Sequence, residues 1–175
     1  MRENPLSFYN VIKVLNDAKL EGIFRNYAIM GGYAVNYYVE PTFTSDIDIV
    51  VLVGTDADYT KIFAYFTQRG YKMVNLYVVI DNTQVQFFPS TISPLYESAV
   101  INANTIPFRD TTTRIVTAEH LVALLLVSYR PKDKIRIMEL LKVVNEDSLW
   151  GIVRRYDSEQ NPIFQRLKEI LGRNK

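Results

Sequence analysis

The chain has 175 residues, of which 48% are hydrophobic and 22% are charged, and this composition indicates an ordinary globular protein with one sizeable core. It contains no cysteine, which excludes disulfides, thiolate metal sites and cysteine nucleophiles. No apolar run reaches the roughly 18 residues that a membrane-spanning helix needs. Because the first five residues also lack the pattern of a signal peptide, we expect a cytoplasmic location and no membrane partner.

The formal net charge of +1 is distributed unevenly along the chain. Residues 1–108 have 7 Lys or Arg and 10 Asp or Glu, whereas residues 109–175 have 13 and 9. A basic C-terminal segment beside an acidic N-terminal segment suits an anionic ligand held against a metal, although a solvated helical surface explains the same asymmetry. The imbalance is too small to indicate binding of duplex DNA.

The spacing of apolar residues in the first 116 residues predicts alternating helices and strands. Asn4-Pro5 favours a helix start, because Asn suits the N-cap and Pro suits the first helical position. The predicted helices span residues 5–19, 33–38, 56–69 and 94–103. The predicted strands span residues 27–30, 47–53, 73–80, 83–88, 106–108 and 113–116. Asp81-Asn82 is predicted to form the turn of a β-hairpin.

The chain after Thr117 has helical periodicity only. Thr117 is a plausible N-cap, and further helices are predicted after Pro131, at Asn145 and at Asn161-Pro162. The predicted fold class is therefore α+β, with a C-terminal helical segment. We divide the chain into an α/β core, residues 1–116, and a C-terminal helical subdomain packed on it, residues 117–175.

Asp46 and Asp48 occupy positions i and i+2 at the start of an apolar, β-branched strand. Side chains two residues apart on a strand point to the same face of the sheet, so the two carboxylates lie side by side. They repel one another unless a cation lies between them, and Mg²⁺ or Mn²⁺ is commonly held by one or two carboxylates plus substrate phosphates. The pair is a candidate divalent-metal site, although an Asp-x-Asp run is more often only a strand entering a turn.

A glycine pair, Gly31-Gly32, precedes the aspartates by thirteen residues and lies between a predicted strand and a predicted helix. Glycine lets phosphate approach the backbone N–H groups of a helix N-terminus without a Cβ in the way. A glycine pair alone is more often a simple turn. Together, the glycine pair and the Asp pair indicate a site that holds a nucleoside triphosphate along its phosphate chain.

This combination resembles the signature of the nucleotidyltransferase superfamily, whose minimal members include proteins of toxin–antitoxin and abortive-infection systems. Residues 44–48, Thr-Ser-Asp-Ile-Asp, resemble the family's Thr-x-Asp-Ile-Asp segment. Residues 121–124, Leu-Val-Ala-Leu, and 130–133, Arg-Pro-Lys-Asp, resemble two later segments of the abortive-infection-type members. The similarity covers about residues 24–142.

The resemblance implies a mixed β-sheet flanked by helices and the transfer of a nucleoside monophosphate from an NTP, such as ATP, to a hydroxyl acceptor on a small molecule, RNA or protein. It implies that Asp46 and Asp48 hold Mg²⁺ (or Mn²⁺), which stabilises the charge on the attacking and leaving oxygens. The expected nucleotide-binding residues are Gly31, Gly32, Thr44, Ser45, Arg130 and Lys132.

The sequence departs from the family pattern where relatives have a third carboxylate, because Gln86 occupies the matching position. An amide oxygen coordinates metal weakly and cannot take a proton from an attacking hydroxyl, help that is typically worth about 10²–10⁴-fold in rate. We therefore group Gln86 with Asp46 and Asp48 as the catalytic residues of a weakened enzyme. Leu125 and Arg136 also differ, since abortive-infection-type members tend to have lysine and aspartate at these two positions.

Two other functions remain open from the sequence. The first is a non-catalytic nucleotide-binding or partner-binding module, which belongs to a toxin–antitoxin or regulatory pair; Gln86 favours it. The second is an unrelated α+β binding domain with an accidental motif match. His120, the single histidine, is expected on the surface or satisfied in the core, and Trp150 is expected to pack the C-terminal helices together.

Overall fold

The apolar, β-branched segments of the sequence form one mixed sheet in the structure, a computed structural model that describes residues 5–41, 44–156 and 162–172. The described strands are β1 (Asn26–Met30), β2 (Asp46–Leu52), β3 (Lys72–Val74), β4 (Tyr77–Ile80), β5 (Thr83–Pro89), β6 (Asn104–Phe108) and β7 (Thr111–Ile115). Their order across the sheet is β3-β4-β5-β2-β1-β7-β6. β2 runs parallel to β5 and β1 runs parallel to β7, while the other neighbouring pairs are antiparallel.

The helices lie close to the bounds that the periodicity predicts. They are α1 (Pro5–Leu20), α2 (Gly31–Tyr38), α3 (Asp56–Gln68), α4 (Pro94–Ile101), α5 (Ala118–Ser128), α6 (Pro131–Leu140), α7 (Glu146–Tyr156) and α8 (Pro162–Gly172). Thr117 caps α5 as predicted, because its side chain accepts a hydrogen bond from the backbone N–H of His120. The predicted caps Asn4 and Asn161 lie outside the described residues.

The prediction of a single strand over residues 73–80 is wrong, because this segment forms two strands, β3 and β4. A two-residue turn at Asn75-Leu76 separates them, with Val74 and Tyr77 as register partners. Asn75 has a φ of 55°, a left-handed conformation that asparagine tolerates better than most residues. The next turn is as predicted: Asp81 and Asn82 both have positive φ, as a tight hairpin between β4 and β5 requires.

The hydrophobic core is continuous between the sheet and the C-terminal helices. Val50 on β2, Leu121 on α5 and Leu167 on α8 are at most 1% exposed and belong to one buried cluster. α5 contacts α2 and α4, and it also contacts the three helices that follow it, α6, α7 and α8. This packing fixes α5 and α6 beside the start of β2. Within the described residues, no helix is both long and apolar enough to cross a membrane.

Candidate functional site

The paired aspartates lie at the first and third positions of β2, a central strand of the sheet. Ile47 and Ile49, which alternate with them, are fully buried, whereas Asp46 and Asp48 are half-buried. Both carboxylates therefore emerge on one face, and both line a cleft of about 580 Å³. Neither aspartate takes part in any of the salt bridges found among the described residues.

The turn from β1 into α2 brings the glycine pair against the second aspartate. Gly31 has a φ of 62°, and a Cβ placed there would overlap the Asp48 carboxylate. A Cβ on Gly32 would lie 2.5 Å from Thr44 Oγ1 and 2.9 Å from Arg136 Nη2. Side chains are excluded at both positions, because the backbone of the turn forms a wall of the cleft.

Gln86 lies beside Asp48, because β5 runs parallel to β2 with these two residues as register partners. Tyr77 on β4 is in turn the register partner of Gln86, and Met30 on β1 is that of Asp48. One row of four side chains therefore crosses β1, β2, β5 and β4, and all four line the cleft. The structure places an amide next to the two carboxylates, at the position where the resemblance anticipates a third acid.

The nine residues proposed from the sequence all line this one cleft, although they come from four separate parts of the chain. They are Gly31, Gly32, Thr44, Ser45, Asp46, Asp48, Gln86, Arg130 and Lys132.

The two carboxylates affect one another electrostatically. Burial of the Asp48 carboxyl, together with the negative charge of Asp46, raises the pKa of Asp48 to about 6, while the positive charges of Lys132, Arg136 and Arg130 act in the opposite direction. Burial penalises the charged form of an acid, and a like charge nearby does the same. The cleft therefore favours a cation or a proton at Asp48.

The opposite wall of the cleft is basic and is supplied by the start of α6. Arg130 Nε donates to Asp133 Oδ2 at 2.9 Å, and Ser128 Oγ donates to the same oxygen at 2.7 Å. Burial opposes ionisation of Asp133, but the hydrogen bonds from Arg130 and Ser128 outweigh it and lower the pKa of Asp133. Asp133 thus holds Arg130 in place, while Lys132 takes part in none of the salt bridges of the described residues.

Sequence reasoning did not assign several residues that line the cleft. Burial and the charges of Asp46 and Asp48 raise the pKa of Tyr77, and burial and the charge of Asp48 raise the pKa of Tyr96. Both tyrosines line the same cleft as the two carboxylates. Arg136, noted from the sequence only as a departure from the family pattern, also lines the cleft, and Leu125 contributes apolar surface to it.

The predictions for residues away from the cleft hold. His120 is 5% exposed, and its two ring nitrogens lie 2.9 Å from Ser98 Oγ and 2.8 Å from Thr117 Oγ1, so it is a satisfied core residue. Trp150 packs against Phe164 with the ring centroids 5.1 Å apart, which joins α7 to α8.

The donors at the cleft suit a hard cation. Two carboxylates and one amide oxygen are available on β2 and β5, and such oxygen donors fit a Mg²⁺ ion that completes its shell with water and substrate phosphate. Among residues 5–41, 44–156 and 162–172, no group of three or more His, Cys, Asp or Glu side chains could hold a metal ion. A metal bound here would therefore be held by Asp46 and Asp48 without a third acidic side chain from the described residues.

Neither a scan against models of protein families nor a search of curated proteins finds a match to this sequence. Solved structures do match. An antigenic nucleotidyltransferase-like protein from Paracoccidioides brasiliensis is 15% identical and superimposes with a TM-score of 0.58, covering 85% of this chain and 86% of that chain. The antibiotic-resistance factor ANT(2'')-Ia is 11% identical, with a TM-score of 0.55 over 98% of both chains. The chain therefore shares its α+β fold with these two solved structures.

Proposed function

We propose that this protein transfers a nucleoside monophosphate from an NTP to a hydroxyl acceptor, with a divalent metal held by Asp46 and Asp48. The observation that carries the proposal is the arrangement of the cleft, in which paired carboxylates on β2 face a glycine turn on one side and basic side chains on the other. Clefts of this size, with convergent polar groups and a strongly shifted pKa, are typical of active sites. The superfamily fold adds to the argument by analogy only.

Each wall of the cleft has a separate task in this proposal. Asp46 and Asp48 hold Mg²⁺ or Mn²⁺ and thereby relieve their mutual repulsion. The backbone at Gly31 and Gly32, together with Thr44 and Ser45, contacts the phosphates. When bound, the metal ion polarises the α-phosphate and stabilises the charge that develops during displacement.

The proposed reaction balances without a further reactant. The acceptor hydroxyl oxygen bonds to the α-phosphorus as the bond between that phosphorus and the pyrophosphate oxygen breaks, and pyrophosphate leaves. Gln86 cannot take the proton of the hydroxyl, because its amide is not a base at neutral pH. The proton passes to solvent, and the rate lacks the roughly 10²–10⁴-fold that a positioned general base typically supplies.

Gln86 supports one alternative function, a nucleotide-binding or partner-binding module without catalysis, for instance in a toxin–antitoxin or regulatory pair. In this alternative the carboxylates, the glycine turn and the basic wall bind a metal–nucleotide complex that is not turned over. The two functions share the site and differ only in whether a product forms.

Thermal unfolding in the presence of Mg²⁺ or Mn²⁺ with ATP, CTP, GTP or UTP tests for the metal–nucleotide binding that the two functions share. A ligand that binds the native state raises the melting temperature. We expect one or more NTPs to stabilise the wild-type protein only when metal is present. The double variant Asp46→Asn, Asp48→Asn should lose this effect. The matched control is Asp17→Asn, Asp147→Asn, which removes two exposed carboxylates that do not line the cleft.

Transfer of radiolabel from an α-labelled NTP to cell lysate separates an enzyme from a binding module. A labelled product that requires metal and both aspartates supports the transferase. Metal-dependent NTP binding without any labelled product supports the binding module. If no NTP stabilises the wild-type protein with either metal, the transferase and the nucleotide-binding module are both wrong.

A further inference from the structure

The second turn of α6 brings a further basic side chain into the cleft. Arg136 follows Lys132 by four residues, so the two lie on the same face of α6, and both line the cleft. Arg136 is half-buried, whereas Lys134 and Ile135 between them are exposed. The helix therefore directs two cations, in adjacent turns, towards the carboxylates and the glycine turn.

The guanidinium of Arg136 lies directly against the glycine turn. A Cβ on Gly32 would be 2.9 Å from Arg136 Nη2 and 2.8 Å from Thr44 Cβ. Thr44 is itself only 8% exposed. Arg136, Gly32 and Thr44 thus meet at one corner of the cleft, where the backbone, a hydroxyl and a guanidinium come together.

Arg136 and Arg130 differ in their carboxylate partners. Arg130 is held by the buried Asp133, whereas Arg136 takes part in none of the salt bridges found among the described residues. Its positive charge acts on Asp48 across the cleft. A planar guanidinium that faces a cleft without a carboxylate in contact suits phosphate oxygens, which it binds through two parallel N–H donors.

We propose that Arg136 binds the phosphate chain of the nucleotide at the corner formed by Gly32 and Thr44, together with Lys132 one turn earlier on α6. This inference rests on the proposed function, because it assumes that the cleft takes an NTP. It assigns to Arg136 a binding role at a position where the abortive-infection-type relatives tend to have an aspartate.

Inorganic tripolyphosphate is the probe for this inference, because it presents the phosphate chain without base or sugar. Its dissociation constant is measured by calorimetry with Mg²⁺ present for the wild-type protein, Arg136→Met and Arg136→Lys. Arg136→Met should weaken binding about tenfold, the effect of losing a charge-assisted hydrogen-bonded pair. Arg136→Lys, which keeps the charge but loses the planar fork, should recover part of the loss.

The matched control is Lys134→Met on the same helix. Lys134 is exposed, and its ammonium lies 4.4 Å from the centroid of the Tyr129 ring, outside the cleft. Its loss should leave the dissociation constant for tripolyphosphate unchanged, although it removes the same charge.

Two outcomes would overturn the inference. The first is equal binding of tripolyphosphate by the wild-type protein and a folded Arg136→Met. If the melting temperature of Arg136→Met is also lower, Arg136 is a structural contact between α6 and the glycine turn. The second is a wild-type protein that binds an NTP but not tripolyphosphate, and in this case the proposed function stands while the inference fails.

Discussion

Asp48 and Gln86 are register partners on the parallel strands β2 and β5, so an amide lies where a carboxylate would complete an acidic trio. Asp46 and Asp48 already repel one another, which contributes to the raised pKa of Asp48. A glutamine at this position adds no negative charge and takes up no proton. The pairing of Asp48 with Gln86 therefore predicts how a carboxylate introduced at position 86 should change both catalysis and stability.

Gln86→Glu should increase nucleotidyl transfer by about 10²-fold or more, because it supplies a general base beside the proposed metal site. The same change should destabilise the metal-free protein, since a third carboxylate joins two that already repel one another. The rate of radiolabel transfer and the free energy of unfolding without metal check the two parts.

Gln68→Glu is the matched control for this prediction. It makes the same substitution at an exposed position near the end of α3, on an element that does not line the cleft. The prediction is wrong if Gln86→Glu and Gln68→Glu transfer label at the same rate.

The raised pKa of Asp48, about 6 against an ordinary value of 3.8, predicts a pH dependence of the metal-free protein. The folded state binds the Asp48 proton more tightly than the unfolded chain does. The contribution of Asp48 to the free energy of unfolding is therefore largest below about pH 4, and it is lost as pH rises through 6. Asp48→Asn should remove this dependence and stabilise the metal-free protein at pH 7 by about 1–2 kcal/mol. This value is smaller than the free energy that corresponds to the whole pKa shift, because the Asp48 carboxylate is partly open to solvent.

Urea unfolding at pH values from 4 to 7 in a metal chelator measures this contribution of Asp48. Saturating Mg²⁺ with NTP should reverse the order of stability, because only the wild-type protein then gains binding free energy. Identical pH profiles for the wild-type protein and Asp48→Asn would contradict the electrostatic description of the cleft.

Gly31→Ala tests the contact between the glycine turn and the carboxylate. Alanine at a φ of 62° costs about 1–2 kcal/mol in backbone conformation alone, and its Cβ would also overlap the Asp48 carboxylate. We expect a larger loss of stability than the backbone cost, together with loss of metal-dependent stabilisation by NTP.

Gly70→Ala provides the comparison, since Gly70 also has positive φ, 80°, but a Cβ there would meet nothing within 4 Å. Denaturant unfolding of both variants separates the backbone cost from the contact. Equal losses of stability in the two variants would mean that the Asp48 carboxylate makes no steric contact with a Cβ at position 31.

His120→Ala should destabilise the protein by about 1–3 kcal/mol, because the change removes a buried imidazole together with its hydrogen bonds to Ser98 Oγ and Thr117 Oγ1. Burial lowers the pKa of His120, so its contribution to stability is present above pH 6.5 and is lost as pH falls. Dissociation constants for metal and NTP should stay at wild-type values. A folded His120→Ala protein that no longer binds NTP would contradict this structural assignment.

Much of the site could be predicted because its signals are local in sequence. Period-two alternation fixes the shared face of Asp46 and Asp48, and the glycine pair marks a backbone turn that excludes side chains. Both depend only on neighbours along the chain.

The residues that the sequence did not assign to the cleft reach it through contacts between segments that are distant in sequence. Arg136 reaches the cleft because α6 packs against α5 and α2, and no spacing in residues 131–140 reveals which face of α6 lines the cleft. Tyr77 joins the row of side chains only through the pairing of β4 with β5. The turn at Asn75 was the exception, because asparagine within an apolar run is a local turn signal that could have divided the predicted strand.

The most direct test is anomalous diffraction from crystals grown with Mn²⁺ and a non-hydrolysable NTP analogue. The proposed metal site predicts an anomalous peak bound by carboxylate oxygens of both Asp46 and Asp48, with the phosphate chain between that ion and the Gly31-Gly32 turn. A cleft without Mn²⁺, or Mn²⁺ bound only elsewhere on the protein, at concentrations where the analogue stabilises the protein, would contradict it.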